Sequence, residues 1–213
     1  MTPSSRVQRP RLESGSTNSP RKKAIRPVRR QRTSTVFLVG FMGAGKTTVG
    51  RALAAQLGWR FVDLDDHIEA RQKRSIAEIF RESGEIEFRR AEATELRNLL
   101  AGLPVTGAAV VALGGGAFVQ KENARLLKAA SAPVIFLDAP VHELWQRTQQ
   151  SDAQRPLVNA ENQFRQLYEM RRQRYMKAEH RLETSGKTVE QVVAEITERL
   201  GLSGPPATGR EVT

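Results

Sequence analysis

The stretch Thr35–Gly58, TVFLVGFMGAGKTTVGRALAAQLG, decides the fold. It divides into a short apolar run, Thr35–Val39, a glycine-rich octet, Gly40–Thr47, and a segment of helical pattern, Thr48–Leu57. Val49, Leu53 and Leu57 recur at i, i+4 and i+8, one buried stripe of a helix. Gly58 stands where a helix-ending glycine belongs. Strand, then G-x-x-x-x-G-K-[ST], then helix is the setting a phosphate-binding loop requires. Glycines let the backbone turn tightly and aim several N–H groups at one point, and the helix N-terminus adds partial positive charge. Lys46 supplies a mobile full charge for the β/γ-phosphates, and the Thr47 hydroxyl is a candidate Mg²⁺ ligand. A glycine-rich turn matching by chance would lack the flanking strand and helix.

The rest of the chain alternates strand and helix. Strands are expected at Arg60–Val62, Ala109–Leu113, Val134–Leu137 and Arg181–Glu183. Helices are expected at Asp66–Gln72, Ser75–Arg81, Glu85–Ala101, Lys121–Ala129, from Pro140 to Gln149, at Glu161–Ala178 and at Val189–Leu200. Ser75 and Glu78 form a capping box, Gly84 breaks the chain, and Pro140 suits the first helical position. This order predicts an α/β domain, a five-stranded parallel sheet flanked by helices on both faces. It spans 34–200. A polar stretch at about 148–161 is expected to form a mobile lid, and 201–213 a flexible tail.

The net charge of +11 over 213 residues raises the prospect of a nucleic-acid partner, but its distribution argues otherwise. Residues 1–33 hold ten Lys/Arg against Glu13 alone, so +9 belongs to this extension and +2 to everything else. The extension is rich in Arg, Ser, Pro and Thr, cannot bury enough surface to offset ordering entropy, and is expected to be disordered. It lacks the apolar face of a transit peptide and the aromatics that stack on bases. No nucleic-acid partner is therefore expected. Cysteine is absent, which excludes disulfides and thiol chemistry and fits a reducing, cytoplasmic setting. No run is long enough to span a bilayer, so no membrane partner is expected. No apolar helix face is left over, so a monomer is expected.

Five further features carry candidate chemistry. Asp63 and Asp65 lie at the end of the second strand, where period-two alternation would put both on one side, at the edge where parallel sheets bind ligands. One could support Mg²⁺ and the other accept a proton from a hydroxyl. A pair of helix-capping acids would explain one of them but not both. Arg89, on a helix with Phe88, Ala91, Leu96 and Leu99 on its buried side, shares a face with Glu92 and suits a carboxylate or phosphate. Gly114, Gly115 and Gly116 follow the third strand and would let a ligand approach the backbone closely. Arg155, in the lid, could stabilise charge on a transferring phosphoryl group. Arg171 stands in a helix with Arg172, Arg174 and Tyr175, most of which read as solvated.

Taken in order, GFMGAGKTTVGRALA, FVDLDDHIE, RSIAEIFRESGEIEFRRAE, VVALGGGAF, RPL and MRRQRY resemble the shikimate kinases, within the nucleoside-monophosphate-kinase-like P-loop group. The resemblance covers about Thr35–Leu200. It implies that Lys46 and the amides of Gly43, Ala44, Gly45, Lys46, Thr47 and Thr48 hold the phosphates of ATP. It implies Mg²⁺ on Thr47, supported by Asp63 through water. Asp65, Arg89, Gly115, Gly116 and Arg171 would bind shikimate, with the two arginines on its carboxylate and Asp65 facing the reactive hydroxyl. Gly114 opens the same loop. Arg155 would touch phosphate, and Arg147 would pack on adenine beside a loop at Thr184–Lys187. The basic extension departs from the family pattern, as do the length from Arg147 to Arg155 and the adenine loop.

Overall fold

The computed structural model describes residues 34–150 and 160–204. The basic extension, Arg155, the middle of the expected lid and most of the C-terminal tail lie outside them. The strands are β1 (Thr35–Val39), β2 (Arg60–Asp63), β3 (Ala109–Ala112), β4 (Val134–Asp138) and β5 (His180–Glu183). All pairs are parallel, in the order β2-β3-β1-β4-β5. Phe37 at the centre stands opposite Val111 on one side and Val134 on the other. Every residue of β1, β3 and β4 is buried. That is why these strands read as nearly continuous apolar runs, broken only by Thr35 and Asp138 at strand ends: a parallel sheet covered on both faces has no solvent side for polar residues. The outer strands β2 and β5 are partly exposed and carry Arg60, Arg181 and Glu183.

The helices are α1 (Lys46–Leu57), α2 (Leu64–Gln72), α3 (Ile76–Thr106), α4 (Lys121–Ala129), α5 (Val141–Gln149), α6 (Glu161–Tyr175) and α7 (Val189–Leu200), with a 3₁₀ turn at Ala117–Val119. α1 buries Val49, Leu53 and Leu57, the stripe its spacing predicts, and packs beside α7, which buries Val192, Val193 and Ile196. Each such side chain contributes on the order of 1.5–3 kcal/mol when removed from water. Gly58 closes α1 in the left-handed conformation. The Ser75–Glu78 box opens α3, with the Ser75 amide donating to Glu78 Oε2 at 2.7 Å and the Glu78 amide to Ser75 Oγ at 3.2 Å.

Local differences from the expected pattern have physical causes. The two helices expected around Gly84 are one run, kinked where Gly84 adopts φ 77°, ψ 172°, and it continues to Thr106 rather than ending at Ala101. Pro140 is the extended residue before α5, not its first helical residue. Its fixed φ serves the cap as well as the first turn. α6 ends at Tyr175, three residues short of Ala178, so that the chain can turn into β5 at His180. Asp65 does not lie on the strand. β2 ends at Asp63, which caps α2, and Asp65 belongs to the first turn of that helix.

This topology places the site. The chain runs to β2 and β3 on one side of β1 and to β4 and β5 on the other, so a crevice opens at the carboxyl end of β1, between its neighbours. The Gly40–Thr47 loop leaves β1 at that point. No helix among the described residues is long and apolar enough to cross a membrane.

Candidate functional site

The Gly40–Thr47 loop wraps the N-terminus of α1. Gly45 is its cap, left-handed at φ 82°, so the following amides of Lys46, Thr47 and Thr48 point out of the helix end. Gly43 is also left-handed, and a Cβ there would lie 2.6 Å from the Leu144 carbonyl oxygen. Lys46 curls over the loop, its Nζ donating to the Gly40 and Phe41 carbonyls at 3.0 Å each. Thr47 Oγ1 donates to Asp63 Oδ2 at 2.9 Å. The other Asp63 oxygen accepts from the Asp65 amide at 3.1 Å. One carboxylate therefore ties the phosphate loop to the start of α2 and aims Asp65 by capping its helix. Thr47 and Asp63 offer hard oxygen donors of the kind Mg²⁺ takes alongside phosphate oxygens and waters, so this corner fits that ion.

Beyond Asp65 lies a small pocket whose walls include Met42, Ile76, Phe80 and Phe88, with Glu92, Arg89, Arg171 and the three glycines supplying its polar groups. Arg89 is forked between two acids of its own helix: Nη1 is 3.0 Å from Glu92 Oε2, and Nη2 is 3.2 Å from Glu85 Oε1. Glu92 is fully buried. Burial pushes its carboxyl up to about 7, Asp65 adds to the rise, and Arg89 and Arg171 oppose it.

Two of these glycines leave room for neighbouring side chains. A Cβ on Gly116 would lie 2.3 Å from Arg89 Nη1, and one on Gly114 would lie 2.4 Å from Asp65 Oδ1. Gly115 is held from the far side by α6. Arg171 Nη1 donates to its carbonyl at 3.2 Å, and the Tyr175 hydroxyl donates to the same oxygen. Tyr175 is buried, stacked on Phe136 at 5.2 Å between ring centroids. Arg171 is itself 8% exposed and passes 5.8 Å from the ring centroid of Phe41, a residue of the phosphate loop. Burial lowers the pKa of Arg171 from its ordinary value, with Arg89 acting in the same direction.

The fold thus brings Lys46, Thr47, Asp63, Asp65, Arg89, Gly114–Gly116 and Arg171 to one sheet edge. Arg155 lies outside the described residues. Arg147 stands apart from the pocket on α5, bound to Glu143 at 3.0 Å. Glu143 also accepts from the Ser185 hydroxyl, so Arg147 is drawn toward the Thr184–Lys187 loop. Of the α6 arginines, the candidate Arg171 turns inward, and Arg172, expected to be solvated, pairs with buried Asp138 at 3.0 Å. Tyr175, the last residue of MRRQRY, carries no site role in the sequence reading; its place four residues after Arg171 puts both on the same face of α6.

Chemically, the arrangement offers a phosphate cradle, a carboxylate ahead of it, and two arginines that could take an acid. The family model described as shikimate kinase matches residues 42–201. A shikimate kinase of Persephonella marina is 40% identical over 166 residues, 78% of this chain and 98% of that one. One from Thermus thermophilus is 40% identical over 168 residues, covering 78% and 89%. A solved structure of shikimate kinase from Acinetobacter baumannii in complex with shikimate superposes with a TM-score of 0.72 at 37% identity, covering 78% of this chain and 92% of that one.

Proposed function

The chain belongs to the shikimate kinase family, and from that premise we propose how its residues carry out ATP-dependent phosphorylation of the 3-hydroxyl of shikimate to shikimate 3-phosphate, a step of aromatic amino-acid biosynthesis. The observation that carries the reading is the meeting of two half-sites at one sheet edge. Asp63 bonds both Thr47 of the phosphate loop and the Asp65 amide, and Asp65 lines a pocket with Arg89 and Arg171.

Phosphoryl transfer asks chiefly for positioning and charge stabilisation. In this reading the amides of Gly43–Thr48 hold the ATP phosphates, and Lys46 exchanges its loop carbonyls for phosphate oxygens. Thr47 and Asp63 would hold Mg²⁺, which supplies neutralising charge to the phosphates when bound. Arg89 and Arg171 take the acceptor's carboxylate by charge-assisted hydrogen bonds. The loop Gly114–Gly116 brings backbone against its ring. Asp65 orients the 3-hydroxyl and accepts its proton. Arg155 would reach the transferring phosphoryl group from the lid, and Arg147 would cover adenine, a role supported by its link through Glu143 to the Thr184–Lys187 loop. A monomeric, cytoplasmic enzyme belongs to the same proposal, the monomer supported by the burial of the apolar stripes on α1 and α7.

A coupled ADP-release assay across a panel of hydroxy acids tests the reading. Saturable, shikimate-dependent ADP formation, with gluconate far poorer, is the expected result. Folded protein that turns over gluconate as well as shikimate would overturn it.

A further inference from the structure

A second cavity, of about 720 Å³, lies between α4, the end of α6 and the first residue of β4. It shares no lining residue with the acceptor pocket. Its apolar lining includes Phe118, Val119, Leu127 and Val134. Five cations surround it: Lys121, Arg125 and Lys128 from α4, with Arg174 and Lys177 from the other wall. Its volume is that of small-molecule sites, which are mostly apolar with a few charged groups.

Among the described residues the positive charges outnumber the acids of this lining five to one. Elsewhere most arginines on the described surface are paired, as in Arg71–Glu95, Arg90–Glu87 and Arg165–Glu161. None of the five cations here has an ion pair within the described residues. The acid of α4, Glu122, is taken by Arg97 of α3. The one acid in the lining, Glu179, lies 3.7 Å from neighbouring His180, its one ionic neighbour among the described residues. A cleft lined by one sign of charge over low-dielectric walls concentrates the opposite sign, and guanidinium and ammonium groups are donors to carboxylate, sulfonate or phosphate.

We propose that this cavity is a second binding site, for a small organic anion with an apolar body. The apolar lining takes the body and the cations take the charge. The site backs onto the glycine loop. The 3₁₀ turn that supplies Phe118 and Val119 follows Gly116 directly, with the Val119 amide donating to the Gly116 carbonyl at 3.1 Å. Buried Asn123 of α4 donates to Ala117 O at 3.1 Å. This placement does not depend on which acceptor the catalytic pocket takes.

The test is a fluorescence titration of the full chain with 8-anilinonaphthalene-1-sulfonate, an aryl sulfonate, with ADP and shikimate present. The same titration is run on Arg125→Glu/Lys128→Glu, two exposed positions away from the catalytic machinery, whose Tm and kinase activity should match the parent. Exposed charge pairs are individually weak, but two reversals should lower affinity about tenfold. The uncharged N-phenyl-1-naphthylamine should bind both proteins alike. A loss for the sulfonate of about threefold or more that the neutral probe does not share supports the site. A smaller loss, an equal loss for the neutral probe, or no saturable binding overturns it.

Discussion

Arg89 and Glu92 pair at 3.0 Å on one face of α3, and the glutamate is fully buried. Burial pushes its carboxyl up to about 7, Asp65 pushes the same way, and the two arginines oppose it. An acceptor carboxylate placed on Arg89 and Arg171 adds negative charge and competes with Glu92 for Arg89. Binding therefore favours the protonated glutamate and takes up a proton. By linkage, affinity is highest below about 7 and falls as pH rises through that value, by at most about tenfold per unit. The shikimate KM should rise across this window while the ATP KM stays level, and Glu92→Gln should flatten the shikimate profile. Steady-state kinetics from pH 6 to pH 8 measure it, and a level shikimate KM in the parent enzyme contradicts it.

Gly116 leaves room for the Arg89 guanidinium, which lies 2.3 Å from where a Cβ would stand. Its φ is −112°, so alanine meets no backbone strain, and the clash falls on the arginine. Gly116→Ala should displace Arg89 and raise the shikimate KM about tenfold or more, the cost of a weakened charge-assisted pair, with the ATP KM little changed. Arg89→Ala should do the same. A rise in the ATP KM instead would remove Arg89 from the acceptor's carboxylate.

How far the sequence reveals this site depends on what kind of signal each residue carries. β1, α4 and α7 lie where periodicity and punctuation put them, because runs such as Thr35–Val39 and the 189, 192, 193, 196, 200 spacing have one compatible burial pattern. D-x-D at 63 and 65 is ambiguous. It reads as strand alternation or as a cap followed by a first helical turn, and hydrogen bonding to the Asp65 amide decides for the second. Arg171 cannot be told from Arg172 and Arg174 by composition, since which arginine turns inward is set by how α6 packs against the 3₁₀ turn. Tyr175 leaves little trace, because its partner is a glycine carbonyl rather than a side chain.

Asp63 has two jobs that substitution can separate. It caps α2 through Oδ1 and meets Thr47 through Oδ2. Asparagine caps as well as aspartate, whereas alanine gives up about 1 kcal/mol. Asp63→Asn should therefore hold its Tm near the parent value yet need more Mg²⁺ for half-maximal rate. Asp63→Ala should show the same Mg²⁺ defect and a Tm lower by about 2–4 °C. Thermal melts and Mg²⁺ titrations of both variants check this; an unchanged Mg²⁺ requirement would remove Asp63 from the metal.

Lys46 Nζ donates to the Gly40 and Phe41 carbonyls of its own loop at 3.0 Å each, while the fold rests on the buried apolar core around the sheet, so its loss should spare the fold. Removing one group aimed at developing charge typically costs about 10²–10³ in rate. Lys46→Ala should lose at least about 10² in kcat with a Tm close to the parent. Near-normal turnover would refute the phosphate-loop role.

Tyr175 and Arg171 converge on the Gly115 carbonyl from one helix, the first through its hydroxyl and the second through Nη1. Burial pushes the Tyr175 phenol up, so it stays a donor throughout the working range. Phenylalanine would keep the stack on Phe136 and remove only the hydroxyl, leaving Arg171 as the remaining donor of the pair. The guanidinium would then be drawn toward the loop and away from an acceptor's carboxylate. Losing the hydrogen bond should cost about 0.5–1.5 kcal/mol, lowering Tm by a few degrees at most. If Tyr175 positions the loop, Tyr175→Phe should raise the shikimate KM by roughly threefold to tenfold and leave the ATP KM unchanged. A purely structural role predicts a lower Tm with both KM values unmoved, and that outcome in steady-state kinetics would show that the hydroxyl supports the fold and not the acceptor site.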